Sequence, residues 1–156
     1  VTAGIQFPLG AEFDGNNVWI TDTGPQALRK LSSSGSVLQT ITFAGGGIVQ
    51  IPHFDGANLW LPIDGPDSVA VVRASSGAVL ANLTGNGLNG PAMAAFDGER
   101  ILVTNFAGDS VSLWKAADLS PLGSFPTGAS TFPSMCASDG LHFWIVLQPV
   151  GKLARF

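Results

Sequence analysis

The sequence has few residues that carry charge or sulfur chemistry. Only 12% of the 156 residues are charged and 46% are hydrophobic, which is too apolar for a disordered chain and suits a single globular domain. The one cysteine, Cys136, excludes a disulfide within the chain and a zinc site built from cysteines. We expect Cys136 to be a small buried side chain on a strand.

Basic residues and long apolar runs are also scarce. Seven Lys and Arg stand against eleven Asp and Glu, and the basic ones cluster only in "LRK" at 28–30. A nucleic-acid-binding surface normally needs a basic patch, so we predict no nucleic-acid partner. No apolar run approaches the roughly 18 residues of a spanning helix, so we predict no membrane span. The opening "VTAGIQFPLG" has no initiator Met and no signal-peptide pattern, which suggests a processed chain or a fragment.

One short sequence motif occurs four times along the chain. "FDGNNVWITD", "FDGANLWLPI", "FDGERILVTN" and "SDGLHFWIVL" begin at positions 13, 54, 96 and 138. Their aspartates lie 41, 42 and 42 residues apart: Asp14, Asp55, Asp97 and Asp139. Five residues after each aspartate stands a large apolar residue: Trp19, Trp60, Leu102 and Trp144. Such a regular period is typical of a repeat architecture.

Each unit contains short apolar segments separated by turn residues, which is the pattern of β-strands. The segments after Asp-Gly ("NVWIT", "NLWLP", "RILVT", "HFWIV") are apolar on both alternating faces, so we expect them to be covered on both sides. Asp-Gly itself favours a tight hairpin turn. No segment has the apolar spacing and caps of a helix. Four antiparallel strands in about 42 residues are typical of a propeller blade.

We therefore predict an all-β chain that folds as a four-bladed β-propeller. It is a single domain over 1–156, with repeat units at about 8–48, 49–90, 91–132 and 133–156. The last unit stops after its third strand, and we expect residues 1–7 ("VTAGIQF") to supply the missing outer strand, because proteins avoid an unpaired edge. That segment can close its own chain into a four-bladed ring or cross to a second chain. We expect the crossing, which gives an eight-bladed homodimer.

The motifs "WITD" (19–22) and "LVTN" (102–105) resemble the YVTN-type propeller repeat. The longer stretch from Gly90 to Asp118 is similar to bacterial propellers of the YVTN, NHL and virginiamycin B lyase-like group. The resemblance implies rings of six or more blades, a secreted, periplasmic or cell-surface location, and activities from binding to lyase chemistry. In the lyase branch it also implies histidines and a glutamate grouped over a metal. Here the two histidines, His53 and His142, occupy different repeat positions.

Two groups of polar residues are candidate binding sites. Glu12 and His53 each lie two residues before an Asp-Gly pair, on first strands that line the propeller channel. We predict a polar pair there, either structural or a small cation site, in which the carboxylate favours the charged imidazole. The second group lies at the turns after the second strands and comprises Asp22, Asp64, Asp67, Asn105 and Asp109. These side chains either cap backbone turns or bind a cation or polar partner at the rim.

The sequence predicts no catalytic residue, no metal site and no cofactor site. We expect the four large apolar residues after Asp-Gly to be structural, packing between blades: Trp19, Trp60, Leu102 and Trp144. The leading hypothesis is a non-catalytic binding or structural scaffold whose partners are a second copy, a protein or a small polar ligand. The alternatives are a metal-assisted lyase or hydrolase with its site on the loop rim, and a fragment or accessory subunit of a larger assembly.

Overall fold

The structure is a computed structural model that describes residues 4–156 as four consecutive antiparallel sheets. Blade 1 comprises β1 (Pro8–Phe13), β2 (Val18–Asp22), β3 (Ala27–Leu31) and β4 (Val37–Thr42). Blade 2 comprises β5 (Ile48–Val49), β6 (His53–Phe54), β7 (Asn58–Asp64), β8 (Ser68–Arg73) and β9 (Val79–Thr84). Blade 3 comprises β10 (Pro91–Phe96), β11 (Arg100–Asn105), β12 (Ser110–Lys115) and β13 (Pro121–Pro126). Blade 4 comprises β14 (Cys136–Ser138), β15 (Phe143–Leu147) and β16 (Lys152–Arg155).

The all-β, four-bladed propeller fold predicted from the sequence is confirmed. Within residues 4–156 the only helical element is a 3-10 turn at Gln148–Val150. No helix in this described range has the length and apolar character needed to cross a membrane. Each blade begins with the hairpin that its Asp-Gly pair predicts, because the glycine takes a positive φ there, for example 92° at Gly15 and 104° at Gly98.

The first strand of blade 2 is interrupted, whereas the first strands of blades 1 and 3 continue through a single register shift each. It is split into β5, which pairs with Ile63 and Asp64, and β6, which pairs with Leu59 and Trp60. Pro52 lies between the two pieces and has no amide hydrogen to donate to β7, so regular pairing is interrupted there. The Gln50 amide spans the gap with a 2.9 Å bond to the Pro62 carbonyl.

The hydrophobic core consists of three clusters, one at each junction between consecutive blades. In the first, Trp19 of blade 1 packs against Leu59 and Leu61 of blade 2. The second and third repeat this arrangement one and two units further along the chain. Each blade therefore has a forward face, which carries the residue five positions after the hairpin aspartate and packs on the next blade. Its rear face carries the residues four and six positions after that aspartate and packs on the preceding blade.

The four blades form an arc with two free ends. Within the described part of the chain, none of the three clusters joins blade 4 to blade 1. In the same range, the only strand paired with β16 is β15, so blade 4 has three strands. The forward face of blade 4 and the rear face of blade 1 thus have no neighbouring blade. We call them the two end faces.

The completion of blade 4 by residues 1–7 stays a prediction. Val1 to Ala3 lie outside the described residues. Of the rest of the segment, Gln6 and Phe7 donate their amides to the Asp22 carboxylate at 3.2 and 2.8 Å, and Thr23 donates its amide to the Phe7 carbonyl at 2.9 Å. Residues 4–7 therefore lie against the end of β2 in this chain and form no strand.

Strand alternation sorts the turns of each blade onto two rims. The Asp-Gly turns and the turns before each outer strand lie at one end of the blades, which we call the hairpin rim. The turns after β2, β7 and β11 lie at the other end, with the links that lead into the next blade. We call this end the linker rim, and the polar candidates 22, 64, 67, 105 and 109 lie along it.

Candidate functional site

The repeated aspartate organises each hairpin with one of its two carboxylate oxygens. The Oδ1 atom of Asp14 accepts the amides of Asn16 and Asn17 at 2.8 and 2.6 Å. The same pair of bonds recurs at Asp55, Asp97 and Asp139. Because these amides belong to the turn and point away from the sheet ladder, the carboxylate satisfies donors that the strands cannot.

The second carboxylate oxygen holds the tryptophan five residues later. Trp19 Nε1 donates to Asp14 Oδ2 at 2.7 Å, and the corresponding distances for the indoles of Trp60 and Trp144 are 2.6 and 2.9 Å. The aspartate and the tryptophan are therefore one structural unit, which fixes an indole of the forward face to its own hairpin. A buried indole N–H needs such an acceptor.

Blade 3 replaces this unit with a different donor. Leu102 stands at the tryptophan position, and Arg100 supplies the missing hydrogen bonds to Asp97 Oδ2, with Nε at 2.8 Å and a terminal guanidinium nitrogen at 2.7 Å. The same guanidinium lies 5.4 Å from the ring centre of Phe143 in blade 4. One arginine thus satisfies the hairpin carboxylate and contacts the next blade.

Replacing Arg100 by methionine tests this substitution of donors. The change keeps an unbranched apolar stem but leaves Asp97 Oδ2 without its donor, so we expect the free energy of unfolding to fall by about 1–3 kcal/mol. Lys152→Met, at an exposed position on β16, is the control and should change the value by less than about 0.5 kcal/mol. Urea unfolding measures both, and equal midpoints for the two variants would contradict the role given to Arg100.

The pKa values of three hairpin carboxylates, Asp14, Asp97 and Asp139, lie below the ordinary value for aspartate. Burial alone would raise the pKa of Asp14, but the Trp19 indole and the turn amides bond its charged form and hold the pKa below its ordinary value of 3.8. Asp97 has the same balance, with Arg100 among its donors, and its pKa is also lowered. At Asp139 the Trp144 indole is the largest cause of a lowered pKa.

These lowered pKa values predict acid sensitivity with a definite sign. A carboxylate whose folded pKa lies below its unfolded pKa stabilises the fold above about pH 4, and that stabilisation is lost as the pH falls further. We expect the urea midpoint to fall steadily as the pH drops below 4, because the unfolded chain then binds protons that the folded carboxylates do not. Asp14→Asn removes one such group and should flatten the fall, whereas a pH-independent midpoint would contradict the prediction.

The polar candidates of the linker rim bond to backbone within the chain. Asp67 accepts the Gly90 amide at 2.7 Å, and Asp109 accepts the amides of Ser130 and Phe132 at 2.7 and 2.8 Å. Each of these carboxylates ties the middle turn of one blade to the link into the next blade. Asp22 is also saturated, since besides the amides of residues 6 and 7 it accepts Arg29 Nε at 3.1 Å.

The remaining rim candidates have other surroundings. Asn105 is buried and donates its amide to Ser110 Oγ and Ser112 Oγ at 3.1 and 2.8 Å. Its Oδ1 atom is buried without a hydrogen-bond partner among residues 4–156. Asp64 ends β7 half-buried, opposite Ile48. In the described chain no three His, Cys, Asp or Glu side chains come together as a metal ion requires. A binding role of this rim stays a prediction.

The channel site predicted at Glu12 and His53 stays a prediction, and the two side chains are not bonded directly to each other. Their strands β1 and β6 are neighbours, but in the described residues no ion pair or hydrogen bond joins the two side chains. Burial lowers the pKa of His53, with the Asp55 carboxylate of its own hairpin opposing, so the imidazole is not driven to its charged form. Burial likewise raises the pKa of Glu12. Each residue thus responds to its own blade and not to the other.

The two histidines also lie in different blades. His142 is partly exposed at the hairpin of blade 4, with Nδ1 3.7 Å from Asp139 Oδ2, and His53 belongs to blade 2. Cys136 is buried on β14, as expected, and burial raises the pKa of its thiol to about 12. The thiol is therefore protonated at neutral pH and unreactive.

An open cavity lies at the hairpin rim, between blades 1 and 2. This cavity of about 530 Å³ is bordered by Asp14, Lys30, Phe54 and Arg73. Across it Lys30 Nζ donates to the Ala74 carbonyl of blade 2 at 2.9 Å, while lying 5.1 Å from the ring centre of Trp19. Sequence reasoning missed this contact. The sequence does contain a signal for it, because Lys30 is charged whereas the next two units have Val71 and Leu113 at the same repeat position.

Known proteins resemble this chain in structure and not detectably in sequence. No family model matches it, and no characterised protein matches its sequence. An inactive histidine-to-alanine variant of virginiamycin B lyase from Staphylococcus aureus, solved with quinupristin, is 15% identical, with a TM-score of 0.80 over 95% of this chain and 51% of its own. A streptogramin B lyase is 15% identical, with a TM-score of 0.81 over 100% of this chain and 56% of its own.

A third structure matches over nearly its full length. The computationally designed Ika4 protein is 13% identical, with a TM-score of 0.80 over 99% of this chain and 92% of its own. These neighbours confirm the β-propeller fold and the resemblance to the virginiamycin B lyase-like group in structure. The chain spans about half the length of the two lyases. At such low identity the likeness shows the fold alone.

Proposed function

We propose that the chain is a non-catalytic structural module that associates with a second copy of itself to complete a propeller ring. The observation that carries this proposal is the pair of end faces, where Val18 and Leu153 are exposed although their repeat positions are buried at every internal junction. The polar side chains of the rims support a non-catalytic role, because most of them are engaged by hydrogen bonds within the chain and do not converge on one pocket.

The rear face of blade 1 is built like the rear faces that are covered. Val18 is 36% exposed, whereas its counterparts Leu59, Ile101 and Phe143 are 0% exposed against the blade before them. Phe13 is likewise exposed, although Phe54 at the same position packs into a junction cluster. These side chains are apolar because the same repeat positions contact the preceding blade in the other units. Blade 1 has such positions but no preceding blade.

The forward face of blade 4 shows the same difference in the other direction. Leu153 is 60% exposed, whereas the three residues at its repeat position are 1% exposed or less: Leu28, Val69 and Val111. Fully burying one such side chain contributes about 1.5–3 kcal/mol. Joining blade 4 of one copy to blade 1 of another would therefore bury apolar surface in the manner of the internal junctions.

Two copies are the number that suits the curvature of the arc. The four blades superpose on 51% and 56% of the two lyase chains, so a propeller of that curvature needs about twice the length of this chain. A two-fold axis would generate two identical junctions and leave no free end face. Residues 4–7, which lie against the end of β2, would be beside one of these junctions.

We also propose an extracytoplasmic location, secreted, periplasmic or at the cell surface. The support is the resemblance of the repeat motifs to propellers of that kind. Immunodetection in cell fractions of the native host tests it, and a signal confined to the cytoplasm would contradict it.

Light scattering with size-exclusion chromatography tests the association. We expect about twice the chain mass of 16.0 kDa. Leu153→Glu should give a folded particle of one chain mass, because it places a charge in the junction while being exposed in the single chain. The matched control is Leu122→Glu, also exposed but on the outer strand β13, which should keep the doubled mass. A wild-type particle of one chain mass up to millimolar concentration would overturn the proposal.

Incubation with quinupristin, with and without added divalent cations, tests the non-catalytic part. We expect no change in the compound by mass spectrometry over hours. A linearised product that forms in proportion to protein concentration would overturn the non-catalytic role and leave the association to be judged by its own experiment.

A further inference from the structure

At the junction between blades 1 and 2, the Lys30 side chain makes a polar contact with the next blade, which we call the lock. The other two internal junctions have an apolar residue at the position of Lys30. Lys30 pairs across the strands with Trp19, lies 5.1 Å from its ring centre and donates to the Ala74 carbonyl of the next blade at 2.9 Å. Blades 2 and 3 have Val71 and Leu113 at this position, so apolar contact replaces the lock there.

Blade 4 repeats the residues of this lock and not its contact. Arg155 stands at the repeat position of Lys30, and it pairs across β15 and β16 with Trp144, which stands at the position of Trp19. Within residues 4–156 the Arg155 side chain takes part in no salt bridge or hydrogen bond, and Arg155 is exposed on the end face. A cation beside a tryptophan thus recurs at the one forward face that has no neighbour.

The acceptor of the lock also has a counterpart on the other end face. Ala74 follows the third strand of blade 2, and the residue at the same repeat position of blade 1 is Ser33, in the turn between β3 and β4. Ser33 is exposed on the hairpin rim, and among the described backbone bonds its carbonyl has no donor. Joining the end faces in the geometry of the internal junctions brings this turn to the Arg155 side.

We infer that Arg155 locks the junction between two copies by donating to the backbone carbonyl of Ser33 of the partner subunit, with its guanidinium held against Trp144. This inference rests on the proposed association. It adds which end face meets which and which residues lie opposite each other across the junction. A guanidinium at this position reaches a carbonyl as the Lys30 ammonium does, and a cation over an indole is favourable. Two such locks form in one ring, because the two-fold axis repeats the junction.

The dissociation constant of the dimer, measured by sedimentation velocity on dilution, tests the lock. We expect Arg155→Met to raise it by about 100-fold, since each of the two junctions loses a charge-assisted hydrogen bond that contributes about tenfold. Arg155→Lys copies the lock of blade 1 and should stay within about threefold. Lys152→Met, on the same strand, is the control and should have no effect.

Cysteine cross-linking tests the register independently. Oxidising an equimolar mixture of Arg155→Cys and Ser33→Cys chains should give a covalent dimer of one chain of each kind. A mixture of Leu122→Cys and Ser33→Cys should give none. An unchanged dissociation constant in Arg155→Met, or no cross-link between positions 33 and 155, would overturn the lock while a doubled wild-type mass keeps the proposed association. A monomeric wild type would overturn both.

Discussion

Replacing Trp60 by alanine should lower the free energy of unfolding by about 3–5 kcal/mol. Trp60 is fully buried on the forward face of blade 2, where it packs in one cluster with Ile101 and Trp114 of blade 3. Removing the indole leaves a cavity that neighbouring strands cannot fill, because their backbones are held by ladders on both sides. It also removes the N–H that bonds Asp55 at 2.6 Å.

Two further variants separate the cavity from the lost hydrogen bond. Trp60→Phe keeps an aromatic ring and loses the donor to Asp55, so the loss should be smaller, about 1–3 kcal/mol. Leu80→Ala truncates an exposed residue on the outer strand β9 and should stay within about 0.5 kcal/mol. Urea unfolding measures all three. If Trp60→Ala left stability unchanged but altered binding of a ligand, Trp60 would be a functional residue and not a structural one.

The regular parts of the fold were predictable because the repeat makes each strand visible four times. The segment "ALRKL" predicts a strand over 27–31, and β3 has those bounds. The hairpins follow from Asp-Gly, since glycine tolerates the positive φ that the turn needs. The split of the first strand in blade 2 also has a sequence signal, Pro52, which occurs at that repeat position in no other unit.

The link between the aspartate and the tryptophan was only half visible. The sequence shows the spacing of five residues between them. However, the aspartate is already explained by the turn and the tryptophan by packing, so nothing in the spacing alone indicates a contact between the two. The informative unit is the third, where tryptophan is replaced by Leu102 and a basic residue, Arg100, appears three positions after Asp97. A donor that appears when another disappears indicates a shared acceptor, here the second oxygen of Asp97.

The lack of a direct bond between Glu12 and His53 in the described residues has a geometric cause. Equivalent positions in neighbouring blades share a direction relative to their own sheets, but not a short distance between side-chain ends. His53 lies in the two-residue strand β6, next to the interruption at Pro52, so its surroundings differ from those of Glu12 in the six-residue strand β1.

Replacing Phe143 by alanine should also cost about 3–5 kcal/mol, but the loss should be concentrated in blade 4. Phe143 is fully buried at the start of β15, in the cluster that joins blades 3 and 4. The Arg100 guanidinium lies 5.4 Å from its ring centre. Its backbone exchanges two hydrogen bonds with Phe156, of 3.0 and 2.8 Å, which hold the end of the chain to the blade.

Local unfolding is expected because blade 4 has three strands and, in the described residues, a core cluster on one face only. After Phe143→Ala, amide hydrogens of β14, β15 and β16 should exchange faster by about 100-fold or more, whereas those of β7 and β8, covered on both faces, should change much less. Leu141→Ala, exposed in the same blade, is the control. The comparison is made in the Leu153→Glu background, so that a second copy does not protect blade 4. Equal acceleration in all four blades would contradict local unfolding, because it would mean that the arc opens as a single cooperative unit.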